Sequence, residues 1–165
     1  MVNTYYDQIS EGYEELHREE QEKKMNIILS LVKVKPKDSL LDVGCGTGIT
    51  AIPWKCKRTG IDPAKKLLAK AHEKEQINYV LAAAEKIPFP DHSFDIVTSV
   101  TAIQNFSDIK KGLSEIKRIG KEKFVLTYLK KSSKAKIIET LINKIFKVTL
   151  RIEEEKDIIF IIDKI

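Results

Sequence analysis

The segment LLDVGCGTGIT, residues 40–50, sets Gly44, Gly46 and Gly48 directly after a short apolar run that holds one acid, Asp42. Glycine has no Cβ, so a strand ending here can turn sharply and offer bare backbone to a ligand. An acid just ahead of the glycines can accept from an ammonium group, which suits the amino-acid part of a ligand. Two other glycine-rich motifs compete for the segment. The phosphate-binding loop needs Lys-Ser/Thr after its last glycine, and Ile49-Thr50 does not supply it. The dinucleotide fingerprint needs Gly-x-Gly-x-x-Gly; here the third position is Ile49 and the glycine comes one residue early. That disfavours a nicotinamide or flavin oxidoreductase. Asp62 is the second candidate, twenty residues after Asp42 in RTGIDP. A carboxylate at the end of the next strand can accept both hydroxyls of a ribose. The third is AAAEKIPFPDHSFDIVTS, residues 82–99, a loop with Glu85 between two strands.

The surrounding pattern supplies the elements that must position these groups. Residues 8–32 read as one or two helices, with apolar Ile28, Leu31 and Val32 at helical spacing. Strands are expected at 39–43, 58–62, 77–82, 94–100 and 123–129. Helices are expected at 63–74, where Pro63 occupies the first turn, at 107–120 and at 133–147. In the second of these, Ser107 is the expected cap and Gly120 the stop. VTLRIEE and DIIFIID, around an acidic turn, close the chain as an antiparallel hairpin. Strands alternating with helices predict an α/β fold on a mostly parallel sheet.

At 165 residues, without an internal repeat or a linker, a single domain is expected over 1–165, with 1–35 as a helical lid and 36–165 as the core. Cys45 and Cys56 form no metal-ligand pattern and suggest free thiols in a reducing compartment. No apolar run is long enough to span a bilayer, and the N-terminal residues are too polar for a signal peptide. A cytoplasmic protein, with neither metal nor membrane partner, is the expectation. Net charge is +5 and the pI about 9.0, a balance compatible with an RNA partner. His17, His72 and His92 are scattered and read as surface residues rather than catalysts.

LLDVGCGTG, GIDPA and AEKIPFPDHSFDIV in that order resemble the S-adenosylmethionine-dependent methyltransferases with a Rossmann-like fold, in particular the ubiquinone and menaquinone biosynthesis branch. The resemblance runs from about Tyr5 to Ile165. It implies a three-layer, seven-stranded sheet ending in the hairpin. It implies that Gly44, Cys45, Gly46 and Gly48 hold the methionine part of S-adenosylmethionine together with Asp42, that Asp62 and Pro63 hold the ribose, and that Ala83, Ala84 and Glu85 hold the adenine. Tyr13, in the YYDQISEGYEELH segment, would lie over the cofactor. Ser99 and Val100 would border the transferred methyl group, with Tyr5, Thr101, Gln104 and Asn105 toward the acceptor.

Two departures stand out. The family usually carries Asp where this chain has Ala83, and Ala83 cannot accept from an adenine amino group. The stretch ITAIPWKCK, 49–57, is short and contains Pro53, so the usual first helix is expected to be truncated. No Asn/Asp-Pro-Pro-aromatic motif stands at 99–106. Lys130, Lys131, Lys134 and Lys136 form a basic cluster where relatives often insert helices. An open site flanked by lysines leans toward RNA or another large acceptor. A small-molecule acceptor, and a non-catalytic cofactor-binding subunit working through an activating partner, are the alternatives.

Overall fold

In the computed structural model, the described residues are 11–71 and 76–163, with side chains described from Glu15 onward. Helix α1 spans Glu11–Leu31, followed by β1 Ser39–Val43, β2 Lys57–Asp62, α2 Lys65–Ala71, β3 Asn78–Leu81 and β4 Phe94–Ser99. After a 3-10 turn at Ile103–Asn105 come α3 Ile109–Ile119, β5 Gly120–Leu129, α4 Ala135–Ile145, β6 Leu150–Glu153 and β7 Asp157–Asp163. The strands form one sheet in the order β3-β2-β1-β4-β5-β7-β6. All neighbours are parallel except the pairs made by β7, which runs antiparallel to β5 and β6. The α/β fold, the seven-stranded sheet and the terminal hairpin are as expected.

Successive residues of the inner strands are buried on opposite faces, so both faces must be covered. Leu41, Phe124, Leu126 and Phe160 pack in one cluster with Leu113 and Ile116 of α3 and Ile138 and Ile142 of α4. Their neighbours Leu40, Val125 and Ile159 pack in another with Met25 and Ile28 of α1 and with Trp54. That makes three layers.

Local chemistry adjusts several boundaries. The 8–32 segment is one helix over its described part. Asp108, not Ser107, caps α3, accepting from the Lys111 amide at 3.0 Å. Gly120 ends α3 but also begins β5, which therefore starts three residues earlier than expected. Residues 49–56 form turns and bends without a helix, as the truncation requires, and fully buried Trp54 fills the space as an apolar plug. Its indole donates to the Thr50 carbonyl at 3.1 Å.

Strand order reverses between β1 and β4, since β2 and β3 lie to one side and β5 to the other. In such sheets the crevice beyond the carboxyl ends at the reversal point is where ligands bind. The loops after β1, β2, β3 and β4 all meet there.

Candidate functional site

A groove of about 870 Å³ occupies that crevice, a size common for small-molecule sites. Its floor is the glycine loop. Gly44, Gly46 and Gly48 all have positive φ, at 77°, 55° and 89°, a region other residues rarely adopt. Each glycine has its own steric role. A Cβ on Gly44 would lie 2.6 Å from the Ala102 Cβ, and one on Gly48 would lie 2.3 Å from the Tyr79 hydroxyl oxygen. A Cβ on Gly46 would meet nothing within 4 Å. Gly44 and Gly48 are therefore required for packing, and Gly46 presents backbone to open space. Gly48 itself does not line the groove.

The two motif acids are built differently. Asp62, at the end of β2, accepts from the Gly46 amide at 2.9 Å and the Ala64 amide at 2.8 Å. It thus caps the chain entering α2 and ties down the glycine loop at once. It also lines the groove, 7% exposed. Burial raises its pKa, and the two amide donors oppose that shift. Asp42 is wholly buried and does not line the groove. One of its oxygens accepts from the Thr50 hydroxyl at 2.6 Å, the other from the Thr98 hydroxyl at 2.8 Å. Burial pushes its pKa up to about 6, the two hydroxyls pull it down, and the Asp62 charge adds a smaller upward push. Asp42 therefore ties β1 to β4 and to the turn after the glycines, and reaches a ligand only through them.

Cys45, Gly46 and Pro63 line the groove, as do Ala83, Ala84 and Glu85 after β3. The Asp108 amide donates to a Glu85 oxygen at 3.1 Å, leaving the other oxygen of that carboxylate for a ligand. Beyond β4, Val100, Thr101, Gln104 and Asn105 line the groove and Ser99 does not; its hydroxyl donates to the Val43 carbonyl at 2.9 Å. The Gln104 amide nitrogen donates to the Thr101 carbonyl at 2.8 Å, so Gln104 braces the wall. Tyr5 and the Tyr13 side chain lie outside the described residues.

Residues that were not site candidates in the sequence also line the groove, His17 and Gln21 among them. His17 and Gln21 of α1 flank the opening, and Lys134 borders it with its ammonium donating to the Gln104 carbonyl at 3.2 Å. His17 is exposed, as expected of a surface residue, but stands on the rim; partial burial and the Lys24 cation lower its pKa. A signal existed: His17, Gln21 and Lys24 recur at helical spacing on one face of α1. Of the lysine cluster, only Lys134 reaches the groove. His92 lies away from it, and His72 is outside the described residues. Cys45 and Cys56 are free thiols whose pKa values burial raises, which makes them poor nucleophiles.

The chain matches the family described as a methyltransferase domain over residues 41–126. It belongs to that family. A demethylmenaquinone methyltransferase of Thermotoga maritima is 30% identical over 135 residues, covering 75% of this chain and 58% of the relative. Among solved structures, the PH0226 protein of Pyrococcus horikoshii superposes with a TM-score of 0.84 at 16% identity, covering 99% of both chains. A chain from the complex of the Haloferax volcanii Trm112 methyltransferase activator with a methyltransferase superposes at 0.77, also at 16% identity, covering 93% of this chain and 94% of that one. These two share the fold. The chain spans between 38% and 58% of the length of the first curated relatives it matches. The resemblance to S-adenosylmethionine-dependent methyltransferases, including the menaquinone branch, is thereby borne out. Among the described residues no helix is long and apolar enough to cross a membrane, and no cluster of three His, Cys, Asp or Glu is placed to hold a metal.

Proposed function

We propose that this protein binds S-adenosylmethionine in the switch-point groove and transfers its methyl group to RNA. The observation that carries the cofactor is the pairing of Gly46 with Asp62. The loop glycine whose missing Cβ leaves open space, Gly46, is hydrogen-bonded to a carboxylate that lines the same groove. Backbone thus meets the methionine part and Asp62 accepts from the ribose hydroxyls. Ala83, Ala84 and Glu85 border the adenine. Tyr13 of α1 covers the cofactor, Ser99 supports the wall from behind, and Tyr5, Thr101, Gln104 and Asn105 receive the acceptor. Bound S-adenosylmethionine would supply a methyl group already activated on a sulfonium sulfur. The chain's own task is then alignment and exclusion of water.

For RNA, Lys134 is the guide: its ammonium sits on the groove rim beside exposed Lys131 and Lys136, where phosphates would lie. Between β5 and α4 only residues 130–134 intervene, which keeps that rim open. A small-molecule acceptor is the second reading, favoured by His17 and Gln21 flanking the groove and by the demethylmenaquinone methyltransferase relative. A partner-dependent enzyme is a third, favoured by the fold shared with the chain from the activator complex.

Isothermal titration with S-adenosylmethionine, S-adenosylhomocysteine and NAD tests the cofactor. Micromolar binding of the first two and none of NAD is expected; NAD binding overturns the assignment. A tRNA gel shift across salt concentrations tests the acceptor: a steep salt dependence supports RNA, and no shift returns the acceptor to small molecules.

A further inference from the structure

Four residues far apart in sequence form a buried polar knot behind the acceptor wall. The Lys24 ammonium of α1 lies 3.0 Å from the Asp157 carboxylate of β7, with side-chain exposures of only 5% and 0%. Lys24 also donates to the Thr101 hydroxyl and, at 3.2 Å, to the Gln21 amide oxygen. The Thr101 hydroxyl in turn donates to Asp157 at 2.7 Å, and the Thr127 hydroxyl donates to the same oxygen at 2.9 Å. The Thr101 amide donates to the Thr127 hydroxyl at 2.8 Å. The second carboxylate oxygen of Asp157 is buried without a hydrogen-bond partner among the described residues.

Two features distinguish this knot from an ordinary ion pair. It sits against the apolar cluster of Met25, Ile28, Val100, Val125 and Ile159, where a well-packed apolar pair would serve stability as well or better. And it grips Thr101, a β-branched residue at φ +53°, a conformation such residues avoid. Every polar atom of Thr101 is held: its amide by Thr127, its hydroxyl by Lys24 and Asp157, its carbonyl by Gln104. The next residue, Ala102, is the one that Gly44 must lack a Cβ to admit.

We infer that the Lys24–Asp157 pair is a positioning latch: it docks α1 on the carboxyl end of the sheet and holds Thr101 left-handed, which sets the wall from Val100 to Asn105 against the glycine loop. The latch itself stands on geometry; its effect on ligand affinity rests on the cofactor assignment above. Four variants of the full chain test it: Asp157→Asn, Lys24→Gln in case the first does not fold, and Asp157→Asn combined with either Thr101→Gly or Thr101→Ala. Hydrogen–deuterium exchange needs no ligand. Asp157→Asn, or Lys24→Gln, is expected to speed exchange over residues 100–105 at least tenfold. Affinity for S-adenosylhomocysteine is expected to fall about tenfold in Asp157→Asn. Gly at 101, at ease with positive φ, should recover most of that loss, and Ala should not. Unchanged exchange over 100–105 together with a lowered Tm would make the pair merely structural and overturn the latch. Equal affinities of the Gly and Ala double variants would overturn it too. Failure of the unmodified chain to bind S-adenosylhomocysteine would sink the cofactor assignment, while the exchange result would still decide the latch.

Discussion

Asp42 and Asp62 end adjacent parallel strands, are both buried and belong to one sequence pattern, yet they do different work. Asp62 takes its hydrogen bonds from backbone amides and keeps an edge in the groove. Asp42 takes its bonds from two threonine hydroxyls and has no exposed surface. The difference lies in their neighbours. The turn at 48–52 swings Thr50 over Asp42, and β4 brings Thr98 from the other side; among the described residues no hydroxyl pair closes over Asp62. An acid in a binding motif can thus serve by holding the loop that binds.

The largest effect that sharpens the contrast is on stability. Asp42 has a folded-state pKa of about 6 against an ordinary value of 3.8, so the folded protein binds the proton more tightly than the unfolded chain. Its contribution is fully present below pH 4 and is lost as pH rises through 6. The loss is about 3 kcal/mol at that shift. Asp42→Asn, which cannot ionise, should flatten the pH dependence of unfolding between pH 4 and 6 in denaturant titrations and leave cofactor affinity within a few-fold. A large drop in affinity would return Asp42 to direct contact with ligand. Next in size, Asp62→Ala should weaken S-adenosylhomocysteine binding about thirtyfold by calorimetry, the equivalent of ~2 kcal/mol for a charged hydrogen-bonding group. If the two variants lose affinity equally, the division of labour is wrong. The smallest effect is at the site's far end. Ala83→Asp supplies the carboxylate that the family resemblance leads one to expect there and should tighten binding two- to tenfold, from ~0.5–1.5 kcal/mol per hydrogen bond. Equal or weaker affinity would mean that Glu85 already meets the adenine.

Most elements were legible because their signals are local. DIIFIID reads as a strand and is one; the paired glycine and acid signals lie in loops that line the groove. The misses came from competition between neighbours. Ser107 and Asp108 both can cap a helix, and Asp108 won because Glu85 receives its amide while its own side chain receives that of Lys111. His17 and Gln21 share one face of α1 with Lys24, but nothing in α1 alone says that this face turns toward the groove.

By itself the sequence determined the strand–helix alternation, the three-glycine turn and the candidate acids, since periodicity, backbone freedom and charge are properties of short segments. Only the tertiary structure decided which acid faces the groove, which glycine opens space and that Lys24 meets Asp157 beneath Thr101. Those outcomes depend on burial and on contacts between residues 16 to 133 positions apart, such as Gly46 with Asp62, Asp42 with Thr98 and Lys24 with Asp157, and no local pattern encodes them.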